Sequence, residues 1–205
     1  MANRNSPGNR KKARLNGELL VFVDESSFGM QSTVVRTWGP RGQTPIHVSS
    51  GKWERWKVLG VLAVAPASGA TAFSYWMTPQ GLPGKIIAEF MRDFLEFHNK
   101  PAIVCWDNDS SHKYAQRLLT SPEFDTATRV AVSFPKMPSY APELMPVEQV
   151  WKSGKIDLLG NFVPFDFTDL EWEVDRSIAS IGDRPELLRA FVRWAGFELD
   201  ESHWQ

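Results

Sequence analysis

The sequence predicts an α/β protein built on a mixed five-stranded sheet flanked by helices. Three observations carry that prediction. The first part of the chain has short apolar runs parted by Pro- and Gly-rich breakers, the pattern of an antiparallel meander. The middle alternates apolar runs with segments of helical spacing, and the C-terminal third is helical.

Taken in order, residues 1–16 are polar and basic, with Arg4, Arg10, Lys11, Lys12 and Arg14 and no acid, and read as a flexible arm. Residues 17–205 read as one domain. Leu19 to Val23 is a continuous apolar run, as expected of a strand buried on both faces. Thr33 to Trp38 reads as a strand that stops at the tight turn Gly39-Pro40-Arg41-Gly42. Lys57 to Val64 and Ala70 to Trp76 read as a pair of strands joined across Ala65 to Gly69. From Pro83 to His98 the apolar residues Ile86, Ile87, Phe90, Met91, Phe94 and Leu95 fall at helical spacing. Ala102 to Trp106 is another buried-strand run, followed by a helix from His112 to Leu119. Ser121 to Thr128 reads as a polar surface insertion, and Val130 to Phe134 as a further strand. Pro146 suits the first turn of a helix. Thr168 with Glu171 forms a capping box ahead of the stripe Leu170, Val174, Ile178 and Ile181. A last helix from Pro185 to Trp194 ends near Gly196.

Composition narrows the function classes. A chain of 205 residues buries one good core, and a net charge of −1 gives no global pull on a polyanion. The single cysteine, Cys105, excludes an internal disulfide and a zinc site of paired thiolates. The four histidines, at 47, 98, 112 and 203, have no metal-ligand spacing. No apolar run approaches the about 20 residues that cross a bilayer, and no secretory signal precedes the domain. The expectation is a cytoplasmic protein with access to DNA and no membrane partner.

Three carboxylates stand out: Asp24 in LLVFVDESSF, Asp107 in AIVCWDNDSSHK, and Glu148 in YAPELMPVEQVWK. Two follow apolar strands and the third sits on a helix. Ligands gather at the carboxyl ends of parallel strands in such sheets, so the three can share one spot. Carboxylates that close repel one another unless a counter-ion intervenes. Two hard divalent cations about 3.5–4 Å apart remove that penalty and can activate the attacking oxygen and steady the leaving oxygen of a phosphodiester. Oxygen-only ligation favours Mg²⁺, with Mn²⁺ as its substitute.

The segments VDESSF, TWGPRGQTP, WDNDSSHK and SYAPELMPVEQVWK resemble the DDE transposases of the Tc/mariner superfamily, specifically the bacterial insertion-sequence branch. The resemblance covers most of 19–155. It implies a ribonuclease H-like fold, with residues 17–205 as a DDE catalytic domain carrying C-terminal helices. It also implies a metal-binding and catalytic triad of Asp24, Asp107 and Glu148 served by two Mg²⁺ ions. The implied reaction cuts DNA at transposon ends and joins the freed strand to target DNA. The implied partners are those DNAs and further copies of the chain, in a bacterial cytoplasm and on the nucleoid when active. Related transposases read transposon ends with helix-turn-helix modules, which here would come from a separate polypeptide encoded in an upstream frame. The alternative is a weak or decayed remnant that only binds DNA or a partner.

Other residues carry two readings each. Lys152 and Lys155 follow Glu148 on its helix, either as surface partners or as phosphate contacts. Arg36, Arg41, Lys52, Arg55 and Lys57, interleaved with Trp38, Trp53 and Trp56, form either a DNA-binding hairpin region or a solvated face over core tryptophans. Lys113 is a further DNA-contact candidate. Asn108 and His112 are candidates for supporting the triad rather than ligating metal. Asp109 reads as loop surface or as a similar supporting group. Two departures from the family pattern remain. The spacing from Asp107 to Glu148 is long, which the 121–128 insertion accounts for. Met145 stands where the family has Asn, so the expected N-cap of the Glu148 helix is lost, at about 1 kcal/mol.

Overall fold

The computed structural model describes residues 17–48, 51–125, 130–138, 142–197 and 199. The basic arm, the end of the 121–128 insertion and residues 139–141 of the SYAPELMP phrase lie outside the described residues. Strands β1 (Leu19–Gly29), β2 (Arg55–Ala65) and β3 (Ala70–Thr78) form the expected antiparallel meander. After helix α1 (Gly84–His98), β4 (Ala102–Cys105) pairs parallel to β1, and β5 (Val132–Ser133) pairs parallel to β4. The sheet order β3-β2-β1-β4-β5 puts β1 at its centre. That position explains its continuous apolar run: Leu19 to Val23 are buried, alternating between two core layers.

One layer holds Leu20, Phe22 and Phe28 against α5 (Phe167–Gly182) and α6 (Pro185–Trp194). The other holds Leu19, Val21 and Val23 against α1 and against α2 (Ser110–Leu119). The expected stripe of α5 forms: Leu170, Val174, Ile178 and Ile181 are all buried. At Gly84 a Cβ would meet the Ser111 carbonyl oxygen at 2.4 Å, so the N-terminus of α1 lies hard against α2. Among the described residues no helix is long and apolar enough to cross a membrane.

Four expectations need correction. β1 does not end at Asp24 but runs on to Gly29, because β2 continues to pair with it there (Asp24↔Gly60, Gly29↔Arg55). Residues 33–38 are not a strand. Their backbone partners are the Asn161 side chain, bonded to both Val35 N and Val35 O, and Asn161 N, which donates to Thr33 O. The segment is thus tied to one residue at positive φ rather than to a strand edge. Its turn is real, with Gln43 N donating to Pro40 O. The cap of α5 is Asp166, whose carboxylate accepts from Asp169 N at 2.8 Å, while Asp169 accepts from Phe165 N. Asp is among the strongest N-caps, so Thr168 is displaced into the helix. Finally, the 121–128 insertion is not wholly surface: the short helix α3 (Pro122–Asp125) buries Phe124 beside α1 and α2.

Candidate active site

Asp24 lies two residues beyond the end of the parallel ladder of β1 with β4. That ladder pairs Leu20 with Ile103 and Phe22 with Cys105. Asp107 likewise stands two residues past that last pair, on the turn that follows β4. Leu20, Phe22, Ile103 and Cys105 all face one core layer, so alternation aims Asp24 toward that layer.

Helix α4 (Val147–Lys152) packs on this layer through Val147, Val150 and Trp151. Glu148 and Trp151 are three apart and share a helical face. Trp151 Nε1 donates to Asp24 Oδ2 at 3.0 Å. Its ring can reach there because the residue opposite Asp24 on β2 is Gly60, where a Cβ would meet Trp151 Cη2 at 2.5 Å. Burial, then the nearby Glu148, then Glu25 push the Asp24 carboxyl up to about 7, against smaller opposing hydrogen bonds from Trp151 and the Glu25 backbone. Asp24 and Glu148 are therefore brought together.

Past Lys152 the helix widens into a π-helical turn, Ser153–Leu158, in which Leu159 N reaches back to Gly154 O. The two lysines sit in different settings, Lys152 at the end of α4 and Lys155 within the turn. Lys152 is exposed, whereas Lys155 is half-buried, with Nζ 5.3 Å from the Phe28 ring centre. Burial lowers the Lys155 pKa, opposed by the attraction of Glu148 and Asp24. Of the two, Lys155 is the one facing the carboxylates.

Asp107 is held differently. Its side chain is 63% exposed, and its Oδ1 accepts from Asp109 N at 2.9 Å and from His112 Nδ1 at 2.6 Å. Asp109 caps α2, accepting from Ser111 N and Ser111 Oγ, which gives that residue a structural task. Asn108 Nδ2 donates to Met137 O, tying the turn to the chain after β5. His112 is 1% exposed and stacked on Trp106, which in turn stacks on Phe134. Its Nε2 meets Glu25, 3.0 Å from Oε2. Burial alone would lower the His112 pKa, but the hydrogen bonds and charges of Glu25 and Asp107 outweigh it and push it up to about 9. Asp107 is thus linked to β1 through His112 and Glu25.

Sequence reasoning missed Trp151, Gly60 and Glu25. An isolated Gly inside an apolar strand signals a close approach by another group, and that signal stood at Gly60. The helical i, i+3 spacing of Glu148 and Trp151 was equally readable. Glu25 had no local signal, because its partner lies on another element. The tryptophans near the hairpin divide between their two readings. Trp56 is 8% exposed and stacks on Phe167, whereas Trp38 and Trp53 are 100% and 74% exposed. Arg36, Arg41 and Lys113 are exposed. Met145 is buried in the core layer rather than standing as a bare cap, and its carbonyl accepts from Glu148 N.

The donor set fits a hard cation in kind, being carboxylate oxygens: Asp24 and Glu148 interact directly, and Asp107 stands on the turn after β4. Among the described residues no group of three or more His, Cys, Asp or Glu is placed to hold a metal ion.

Comparison with known proteins bears directly on these elements. Residues 19–167, more than two thirds of the chain, match the family model described as DDE superfamily endonuclease. No curated protein sequence matches significantly. Among solved structures, the chain is similar to the Mos1 mariner paired-end complex with Mn (14% identity, TM-score 0.52, covering 98% of this chain and 65% of that one). It is similar to the corresponding complex with Mg (12%, 0.51, covering 98% and 66%) and to the Mos1 strand transfer complex (13%, 0.51, covering 94% and 59%). The chain therefore spans about three fifths to two thirds of those Mos1 chains. At these identities the likeness concerns the fold, the ribonuclease H-like sheet and its flanking helices. With the family model matched from β1 through α4 to the start of α5, the chain belongs to the DDE superfamily endonuclease family.

Proposed function

We propose that residues 17–205 form the catalytic domain of a transposase of the bacterial insertion-sequence branch of the Tc/mariner superfamily. It cuts DNA at transposon ends and transfers the strand to target DNA. Asp24, Asp107 and Glu148 would hold the divalent cations, two Mg²⁺ or Mn²⁺ in their place. When bound, those ions would lower the pKa of an attacking water or 3′-hydroxyl and stabilise the departing oxygen.

One observation carries the reading. Asp24 is a largely buried carboxyl crowded by Glu148 and Glu25, and pushed up to about 7. As a lone anion it is unfavourable, and a divalent cation is the counter-charge that makes such crowding useful. The chain's own groups have separate tasks. Trp151 fixes the rotamer of Asp24 through Oδ2. Helix α4 carries Glu148 on the face that packs against β1. Lys155, which faces Glu148 and Asp24, and the exposed Lys152, Lys113, Arg36 and Arg41 would supply positive charge for DNA phosphates. Trp38 and Trp53, exposed on 31–54, offer flat surfaces to bases or to another copy of the chain. The Mos1 structures are of paired-end complexes, and we infer a DNA-bound homo-oligomer here too. Recognition of specific ends would come from helix-turn-helix modules, and the setting would be the bacterial cytoplasm.

The test is metal-dependent nicking of supercoiled plasmid. The wild-type protein nicks with Mg²⁺ or Mn²⁺ and not with EDTA, and Asp107→Ala abolishes nicking. Equal nicking by both proteins refutes the catalytic assignment. No nicking by either, with DNA binding retained, favours the binding-only remnant.

A further inference from the structure

We propose that Glu25 is a positioning residue for Asp107, acting through His112. The proposal rests on the cation-binding reading above and adds to it a residue on the far side of β1.

Strand alternation sends Asp24 and Glu25 to opposite faces. Glu25 therefore cannot join Asp24 on the Trp151 side, and it meets α2 instead. There His112, the third residue of the helix, has almost no freedom. Its ring lies flat on Trp106, with centroids 5.1 Å apart and planes within 5°, and Trp106 is backed by Phe134. Stacking fixes the plane of the ring, which leaves the half-turn flip about Cβ–Cγ that preserves that plane. Glu25 removes it: both carboxylate oxygens lie about the Nε2 position, at 3.1 and 3.0 Å. With Nε2 pinned, Nδ1 points at Asp107 Oδ1, 2.6 Å away.

The consequence falls on Asp107. This residue sits beyond the end of β4 with an exposed side chain, so no ladder holds it. Oδ1 is taken up by two donors, His112 Nδ1 and Asp109 N. Oδ2 has no protein partner among the described residues and is the oxygen available to a cation. Glu25 thus sets the orientation of a candidate ligand it never touches. Removing its acceptor leaves a ring N–H unpaired in a buried slot, and the ring gains a reason to turn. The rival account is that Glu25 and His112 merely fasten β1 to α2.

The experiment compares Glu25→Met, which keeps length and an apolar stem but no acceptor, with Glu25→Gln, which keeps an acceptor oxygen. Mn²⁺ affinity is read from the free-Mn²⁺ electron paramagnetic resonance signal, with Asp107→Ala as control. The ring N–H signals of His112 are read by proton NMR in the metal-free proteins. Partners of this kind are worth about 10–100-fold in metal affinity, and Glu25→Met is expected to lose that much while Glu25→Gln stays within about threefold. The NMR spectrum of Glu25→Met should lack the slowly exchanging Nε2–H, with far-UV circular dichroism unchanged. Glu25→Met binding Mn²⁺ like wild type while Asp107→Ala does not would overturn the positioning role alone. Glu25→Gln as weak as Glu25→Met would overturn the hydrogen-bond account. Wild-type Mn²⁺ binding by Asp107→Ala would overturn the cation reading, and this proposal with it.

Discussion

The two faces of β1 treat neighbouring acids in opposite ways. On one face Asp24 is crowded by Glu148 and is costly as an anion. On the other, Glu25 meets His112, a buried ring that also carries Asp107, and the charges there compensate one another. One strand thus holds a destabilised carboxylate and a satisfied network one residue apart. The contrast teaches that burial and partners, not sequence neighbourhood, decide what a carboxylate costs: Asp24 is crowded by like charge, whereas Glu25 is compensated by His112.

The sharpest way to break that contrast is to remove the charge on its strained side. The Asp24 pKa is raised in the folded protein, so between about 4 and 7 the native state binds more protons than the unfolded chain. Stability without metal therefore falls as pH rises through that window. At 1.36 kcal/mol per unit, Asp24→Asn should stabilise the metal-free protein by up to about 4 kcal/mol at pH 8 and by little at pH 4. Urea titrations at both pH values check this, and a loss of stability at pH 8 would contradict it.

On the satisfied side the sign reverses. The folded pKa of His112 is raised, so its contribution is fully present below about 6.5 and lost as pH rises through 9. His112→Ala also empties a slot stacked on Trp106 and removes two hydrogen bonds. It should cost about 3 kcal/mol at pH 6 and less at pH 10, read as melting temperature. A cost that does not change with pH would leave packing as its only role.

A smaller effect comes from Gly60. A methyl there would strike Trp151, and overpacking of this kind costs about 1–3 kcal/mol. Because the displaced ring is the donor to Asp24, Gly60→Ala should also reduce nicking more than its stability loss explains. Unchanged nicking would mean that Trp151 does not orient Asp24.

Much of this was legible in the chain. The doubly buried first strand and the α5 stripe follow from apolar periodicity, which is a local property. What escaped depends on partners distant in sequence. The reach of β1 to Gly29 is decided by β2, and the fate of 33–38 by Asn161. Met145, read as a missing cap, turned out to be a core residue, since capping is judged locally while burial is not. Glu25 belongs to the same class: its meaning appears only when α2 lies beside β1.

The most direct test of the account is an anomalous-scattering map from crystals grown with Mn²⁺. It should contain Mn²⁺ peaks within coordination distance of Asp24, Asp107 and Glu148 together, with Asp107 engaged through Oδ2. Well-ordered Mn²⁺ elsewhere, or coordination that leaves out any one of the three carboxylates, would contradict it.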